Sequence, residues 1–214
     1  MPYSSSTQPV VLFDGLIFAN HEYGGINRYL VELVRHIATD GRMRPVVHAP
    51  YYVSKYLDDL RDDGMSIQGR RLPVFKGVSL IAKGLSRLQR VENGYDVFHS
   101  GWYPRHRPCE QGKVLALMAY DMIAELFPNE VSNAKTQAME KSFALKIADI
   151  IFAASESAKT DLVKIAGVDA TKIVVTPLAT SIAEISVEEK KTTTIKADII
   201  IKKEAVNENG LFSF

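Results

Sequence analysis

Two glycines, Gly24 and Gly25, stand directly ahead of an apolar stripe in EYGGINRYLVELVRHI, residues 22–37. A helix N-terminus leaves several N–H groups unpaired and carries positive partial charge. Ser or Asp would cap it better than Gly. Without side chains, the pair lets a phosphate come close to those N–H groups. A flexible turn at a tight helix entry explains the glycines equally well. The spacing is neither G-x-G-x-x-G nor G-x-x-x-x-G-K-[ST], which weakens a nicotinamide-binding or ATPase reading.

A second group of candidates lies in MAYDMIAELFPNE, residues 118–130, where an apolar run ends in Tyr120 and Asp121. A carboxylate at a strand's end can orient a substrate hydroxyl, or simply accept backbone bonds in its own turn. His99 closes an earlier apolar run in the same way, as a site-facing residue or as a strand-end histidine bonded to a neighbouring loop. The loop WYPRHRP that follows mixes Trp102 and Tyr103 with Arg105, His106 and Arg107. An aromatic face there can stack on a sugar ring and an arginine can pair with phosphate. A surface loop with one buried Trp is an equal reading.

The elements that must position these residues alternate in type. PVVLFDG (9–15), RPVVHAP (44–50), YDVFHSG (95–101), KVLALMAYD (113–121) and KIVVTPLA (172–179) read as buried strands, and SIQGRRLPV (66–74) holds a further one. DIIFAASES (149–157) gives a strand and then a helix start with Ser155 as its N-cap. Helices are predicted over 25–41, within 53–64, over 77–94 and from Val131 to Ala148. In the first, Ile26, Tyr29, Leu30, Leu33, Val34 and Ile37 keep helical spacing. In the third, Val78, Ile81, Leu85 and Leu88 share a face, taken as the core face.

Continuous apolar strands separated by helices imply a parallel sheet covered on both sides. The expected fold is a doubly wound, Rossmann-like α/β domain over residues 8–180, with ligands outside the carboxyl ends of the strands. Residues 181–214 form a poorly defined tail, too short for a second domain.

Composition narrows the class. The chain has 214 residues, 46% of them apolar and 24% charged, with a net charge of +1. Nothing in that balance asks for a nucleic-acid partner. The single cysteine, Cys109, cannot form an internal disulfide or supply a cysteine zinc site. No apolar run approaches the roughly 18 residues of a membrane span, and no signal peptide is apparent. A cytoplasmic location is expected. From Gly69 to Val91 the chain carries six basic residues and no acidic one. A basic amphipathic helix there would suit peripheral contact with the inner face of a membrane, whereas a solvated basic face needs no membrane.

In order and spacing, the strand with FDG, then GGINRYLVELVRHI, DVFHSGWYP, YDMIAELFP and KSFALKIADIIFAASESAKTDLVKIAGVDATKIVVTPLA resemble the N-terminal half of family 4 glycosyltransferases of the GT-B fold. The last piece is the most specific: a helix ending in Ala-Asp, an apolar strand, a Ser and a further helix. The resemblance implies a retaining transferase that moves a sugar from a nucleotide-sugar donor to a glycan or lipid-linked acceptor in polysaccharide or glycoconjugate synthesis. It implies no metal and no cofactor beyond the donor co-substrate.

On that resemblance Gly24 and Gly25 bind the donor diphosphate, while Tyr120, Asp121 and His99 are the catalytic candidates. Trp102, Tyr103 and Arg105 are the acceptor-binding candidates. Tyr120 stands where many members have His. The donor-binding second half, with its paired glutamates, has no counterpart after Ser181. The expectation is therefore an acceptor-side domain, truncated or served by a separate donor domain and inactive alone. A non-catalytic remnant or binding module of the same fold is the alternative.

Overall fold

A computed structural model describes residues 8–86, 94–110 and 112–177. The apolar runs become seven strands: β1 (Val10–Asp14), β2 (Arg44–Tyr52), β3 (Ile67–Arg71), β4 (Val97–Ser100), β5 (Val114–Ala119), β6 (Ile150–Ala153) and β7 (Ile173–Val175). The helices are α1 (Gly25–Asp40), α2 (Tyr56–Asp62), α3 (Val78–Ser86), α4 (Ile123–Leu126), α5 (Ala134–Ile147) and α6 (Glu156–Lys164). A 3-10 turn at Leu16–Ala19 follows β1.

All strand pairings are parallel, in the order β3-β2-β1-β4-β5-β6-β7. The chain builds leftward from β1 and then returns to its other side at β4, so the topological switch point falls between β1 and β4. A parallel sheet needs cover on both faces because its strands have no wet side. Phe13 and Val47 pack with Leu30, Val31 and Val34 of α1 and with Leu57 and Leu60 of α2. On the opposite face Leu117, Ala119 and Ile151 meet Ala144, Leu145 and Ala148 at α5, together with Leu162 of α6. Each such Leu, Ile or Val contributes roughly 1.5–3 kcal/mol of burial. The doubly wound α/β fold is therefore as expected.

The connection from β4 to β5, residues 101–113, is as read in the sequence, a loop without a helix among its described residues. Three details differ from the pattern read in the sequence, in the start of the long helix, in α4 and in α3. The long helix begins at Ala134 rather than Val131, because Asn133 takes a left-handed conformation with φ of 58°. Asn tolerates that region where most residues do not. The short helix α4 forms in what reads as loop. In α3 the buried residues are Val78 and Ala82, while Ile81 and Leu85 are exposed. Of the expected core stripe Val78 is thus buried, while Ile81 and Leu85 are not. Leu88 and the rest of the basic stretch beyond Ser86 lie outside the described residues, as does the tail at 181–214.

Candidate functional site

Helix α1 starts at the carboxyl edge of the sheet, beside the switch point. Gly24, its N-cap, has φ 179° and ψ 151° and provides no capping side chain. That backbone is extended and open to any residue. The surroundings do not require glycine either. A Cβ on Gly24 would sit 3.8 Å from Asn27 Cγ, an ordinary contact, and one on Gly25 would meet nothing within 4 Å. Gly15 and Gly101 behave differently, since a Cβ on the first would overlap Ala49 and on the second a Leu30 methyl. Those two glycines serve packing. The pair at 24 and 25 leaves an open approach to the first-turn N–H groups.

The loop that delivers this helix end is held from several sides. Asn27, buried, donates from its amide to the His21 carbonyl at 3.1 Å and to Ser54 Oγ at 3.3 Å. At the end of β1, Asp14 Oδ1 accepts the Leu16 N–H at 2.9 Å. Its Oδ2 lies 3.3 Å from Ser100 Oγ at the end of β4, bridging the two strands of the switch point. Burial raises the Asp14 pKa above its ordinary value, against lowering contributions from the Leu16 N–H, the Ser100 hydroxyl and His48. Ser100 Oγ also reaches the Trp102 carbonyl at 2.8 Å. Its one proton serves one acceptor at a time.

Tyr120 and Asp121 follow β5. The Tyr120 hydroxyl donates to the Gly101 carbonyl at 3.4 Å, and its ring meets Tyr29 of α1 edge-on at 6.1 Å. Burial raises the Tyr120 pKa far above that of an ordinary phenol. It remains a neutral hydrogen-bonding group across the physiological range. The exposed Asp121 accepts the Ile123 N–H at 3.0 Å through Oδ1, the local turn bond that its residue type favours.

Lys141 of α5 holds this loop from beneath. Its ammonium donates to the Asp121 carbonyl and to Glu125 Oε2, both at 2.8 Å, and lies over the Tyr103 ring at 5.5 Å. The residue is 3% exposed. A buried ammonium persists only with such partners.

The remaining candidates are placed as follows. His99 does not face the carboxyl-edge crevice. It is 4% exposed, with ring centroids 5.0 Å from Phe13 and 5.8 Å from Phe152. Its Nε2 has no hydrogen-bond partner, and desolvation lowers its pKa to about 4. Tyr103 is buried against the α5 side of the core rather than presented as a stacking platform. Trp102 is half-buried, with its ring 5.3 Å from that of Tyr103. Arg105 is exposed and its Nε donates to Glu140 at 2.7 Å. Tyr120 thus reaches Gly101, the neighbour of Trp102 in the chain, while Arg105 is turned to α5. No group of three His, Cys, Asp or Glu among the described residues could hold a metal ion.

Three organising residues, Asp14, Asn27 and Lys141, lie inside stretches that carry the family resemblance but are not among the candidate site residues read from the sequence. Lys141 also left a local signal, since it falls three, four and seven residues before Ala144, Leu145 and Ala148 and therefore on their buried face.

A doubly wound parallel sheet with a glycine-led helix N-terminus at its switch point is the architecture whose ligands, as a rule, sit outside the carboxyl ends of the strands. The profile of one family, Glycosyltransferase Family 4, matches residues 23–183. With most of its length matched, the chain belongs to that family. Among solved structures it is similar to a glycosyltransferase from Rickettsia africae ESF-5, at 15% identity and a TM-score of 0.48, covering 90% of this chain and 50% of that one. It is also similar to Anabaena Alr3699/HepE, solved in complex with UDP, at 15% identity and a TM-score of 0.49, covering 88% and 50%. The chain spans about half the length of these structures. No curated protein matches it.

Proposed function

We propose that this chain is the acceptor-side domain of a retaining, sugar-nucleotide-dependent glycosyltransferase acting on a glycan or lipid-linked acceptor at the cytoplasmic side of a membrane. The observation that carries the reading is the Gly24–Gly25 opening. Neither backbone conformation nor packing calls for glycine there, yet the pair bares a helix N-terminus at the switch point. Family membership supplies the reaction class.

In this reading the N–H groups at the start of α1 receive the donor diphosphate. They stabilise the negative charge that grows as the sugar–phosphate bond breaks, and preorganised dipoles of this kind serve such charge well. Tyr120 offers a neutral hydroxyl to the sugar or the acceptor from across Gly101, and Asp121 offers an exposed carboxylate. His99, enclosed between aromatic rings, takes no part in the chemistry. Trp102 flanks the acceptor side. The second domain of a full-length enzyme supplies the rest of the donor site.

The test is transfer from a panel of nucleotide sugars to lipid and soluble acceptors, by this chain alone and joined to the donor-binding domain of a full-length relative. Turnover in the joined protein that falls on substitution of Gly25 supports the reading. Folded protein with no turnover and no nucleotide binding in either form overturns it. That outcome favours the binding-module reading, for which Tyr120 in place of a titratable His already speaks.

A further inference from the structure

Helix α3 turns its apolar side to water. Val78 and Ala82 are buried where the helix packs on β2 and the 3-10 turn. Leu80 is 77% exposed and Ile81 47%, and Leu85 is exposed as well. At about 100° per residue Leu80 and Gly84 point away from Val78 and Ala82, Ile81 lies to the side, and Leu85 falls at the edge beside Val78. Val74 and Phe75, in the connection leading into α3, are also exposed. A run of five large apolar side chains in one short segment is not the scattered exposure of an ordinary surface.

The rim of this patch is basic. Arg70, Lys76 and Lys83 flank it, and no acidic residue occurs between Gly69 and Ser86. Acids of α2 and its C-terminal end are paired elsewhere, Asp58 with Arg71 at 3.0 Å and Asp63 with Arg35 at 2.7 Å. Arg71 also binds Glu22 at 3.1 Å, so its charge is matched by two carboxylates, whereas Arg70 lies over the Tyr51 ring. The patch adjoins the crevice. Ser79 Oγ donates to the Asn20 carbonyl at 2.9 Å, fastening α3 to the loop that leads to Gly24.

We propose that α3 and the 72–77 connection form a membrane-docking surface for a bilayer bearing anionic headgroups. Phe75, Leu80 and Ile81 enter the boundary between headgroups and acyl chains. Arg70, Lys76 and Lys83 meet the lipid phosphates around them. This is the division of labour of an interfacial amphipathic helix, apolar insertion framed by positive charge. It places the crevice mouth next to the lipid surface, and it stands whether or not the domain transfers sugar.

The test is co-sedimentation of the full chain with vesicles of phosphatidylcholine, alone or with phosphatidylglycerol, at low and high salt. Binding to the anionic vesicles and release by salt are expected. Lys76→Glu is expected to weaken binding roughly fivefold or more, and Leu80→Asp with Ile81→Asp by ~10-fold or more. Because Leu80 and Ile81 touch solvent, the double variant is expected to melt with the parent chain. As a check independent of that variant, Phe75→Trp fluorescence is expected to move to the blue on adding anionic vesicles. No binding by the parent chain, equal binding to neutral vesicles, or unchanged binding of the folded double variant overturns the proposal. So does concentration-dependent self-association abolished by Leu80→Asp without any vesicle binding, which would assign the patch to a second copy.

Discussion

The Lys141 ammonium donates to the backbone carbonyl of Asp121 at 2.8 Å from a position 3% exposed to solvent. A helix on one face of the sheet thereby fixes the loop that carries Tyr120 and Asp121 at the edge. The same ammonium neutralises Glu125, the other partner within 2.8 Å.

Lys141→Met keeps the apolar stem and removes the charge, leaving Glu125 and a carbonyl without their donor. Loss of about 3 kcal/mol of folding stability is expected, the range for breaking a buried pair from one side. Adding Glu125→Gln removes the stranded carboxylate and is expected to return about 1 kcal/mol. Chemical denaturation of the single and double variants measures both. Equal stability of the parent chain and Lys141→Met would show that the loop is held by other contacts.

The strands of this sheet were legible because VVLFD and VLALMA are continuous apolar runs, and only a sheet covered on both faces asks for them. The direction of α3 was not legible. Periodicity finds a stripe containing Val78, Ile81 and Leu85, but the choice of Val78 and Ala82 as the buried pair is made by β2 and the 3-10 turn, which are distant in sequence. His99 was ambiguous for a related reason. In a strand buried on both faces, alternation does not tell a residue aimed at a crevice from one enclosed among rings. The glycines at 24 and 25 could be found by eye, but their lack of any packing duty appears only once Gly15 and Gly101 are seen to have one.

His99 makes folding sensitive to acid. Its folded pKa, lowered to about 4 by burial, lies below the ordinary histidine value of 6.5. As pH falls from 6.5 towards 4, the unfolded chain takes up this proton and the folded chain does not. The stability present above that window is therefore lost within it, by about 3 kcal/mol in all. Asp14 acts with the opposite sign. Its raised value means that the folded carboxyl holds its proton to higher pH than the unfolded one, so its contribution declines as pH rises. His99→Phe fits between Phe13 and Phe152 and removes the orphaned Nε2. It is expected to flatten the fall in melting temperature between pH 6.5 and pH 4.5 relative to the parent chain. An unchanged slope would place the acid sensitivity elsewhere.

Gly25→Ala separates folding from ligand binding. The new methyl meets nothing within 4 Å, and Ala is the better helix former. Melting temperature is expected to hold or rise, corresponding to up to about 1 kcal/mol. The same methyl stands in the approach to the first-turn N–H groups. Nucleoside diphosphate binding, followed by calorimetry on the chain joined to a donor-binding domain, is expected to weaken by roughly 10-fold or more. Undiminished affinity in the stable variant would remove the anion-site reading of α1.

Tyr120→Phe asks whether the phenol does chemistry or only packs. Its bond to the Gly101 carbonyl is long, at 3.4 Å, and its ring contact with Tyr29 survives the substitution. A stability loss of about 1 kcal/mol or less is expected. Because burial keeps the hydroxyl protonated well beyond neutral pH, it cannot act as a base that titrates near 7. What it can supply is one hydrogen bond that strengthens as charge develops. In the joined enzyme kcat is expected to fall roughly 10- to 100-fold with KM little changed, the pattern of a contact made mainly in the transition state. The pH profile of transfer is expected to keep its shape, since no titrating group has been removed. A rise in KM at constant kcat would instead make Tyr120 a wall of the acceptor site, and a loss of folding would make it part of the core with Tyr29.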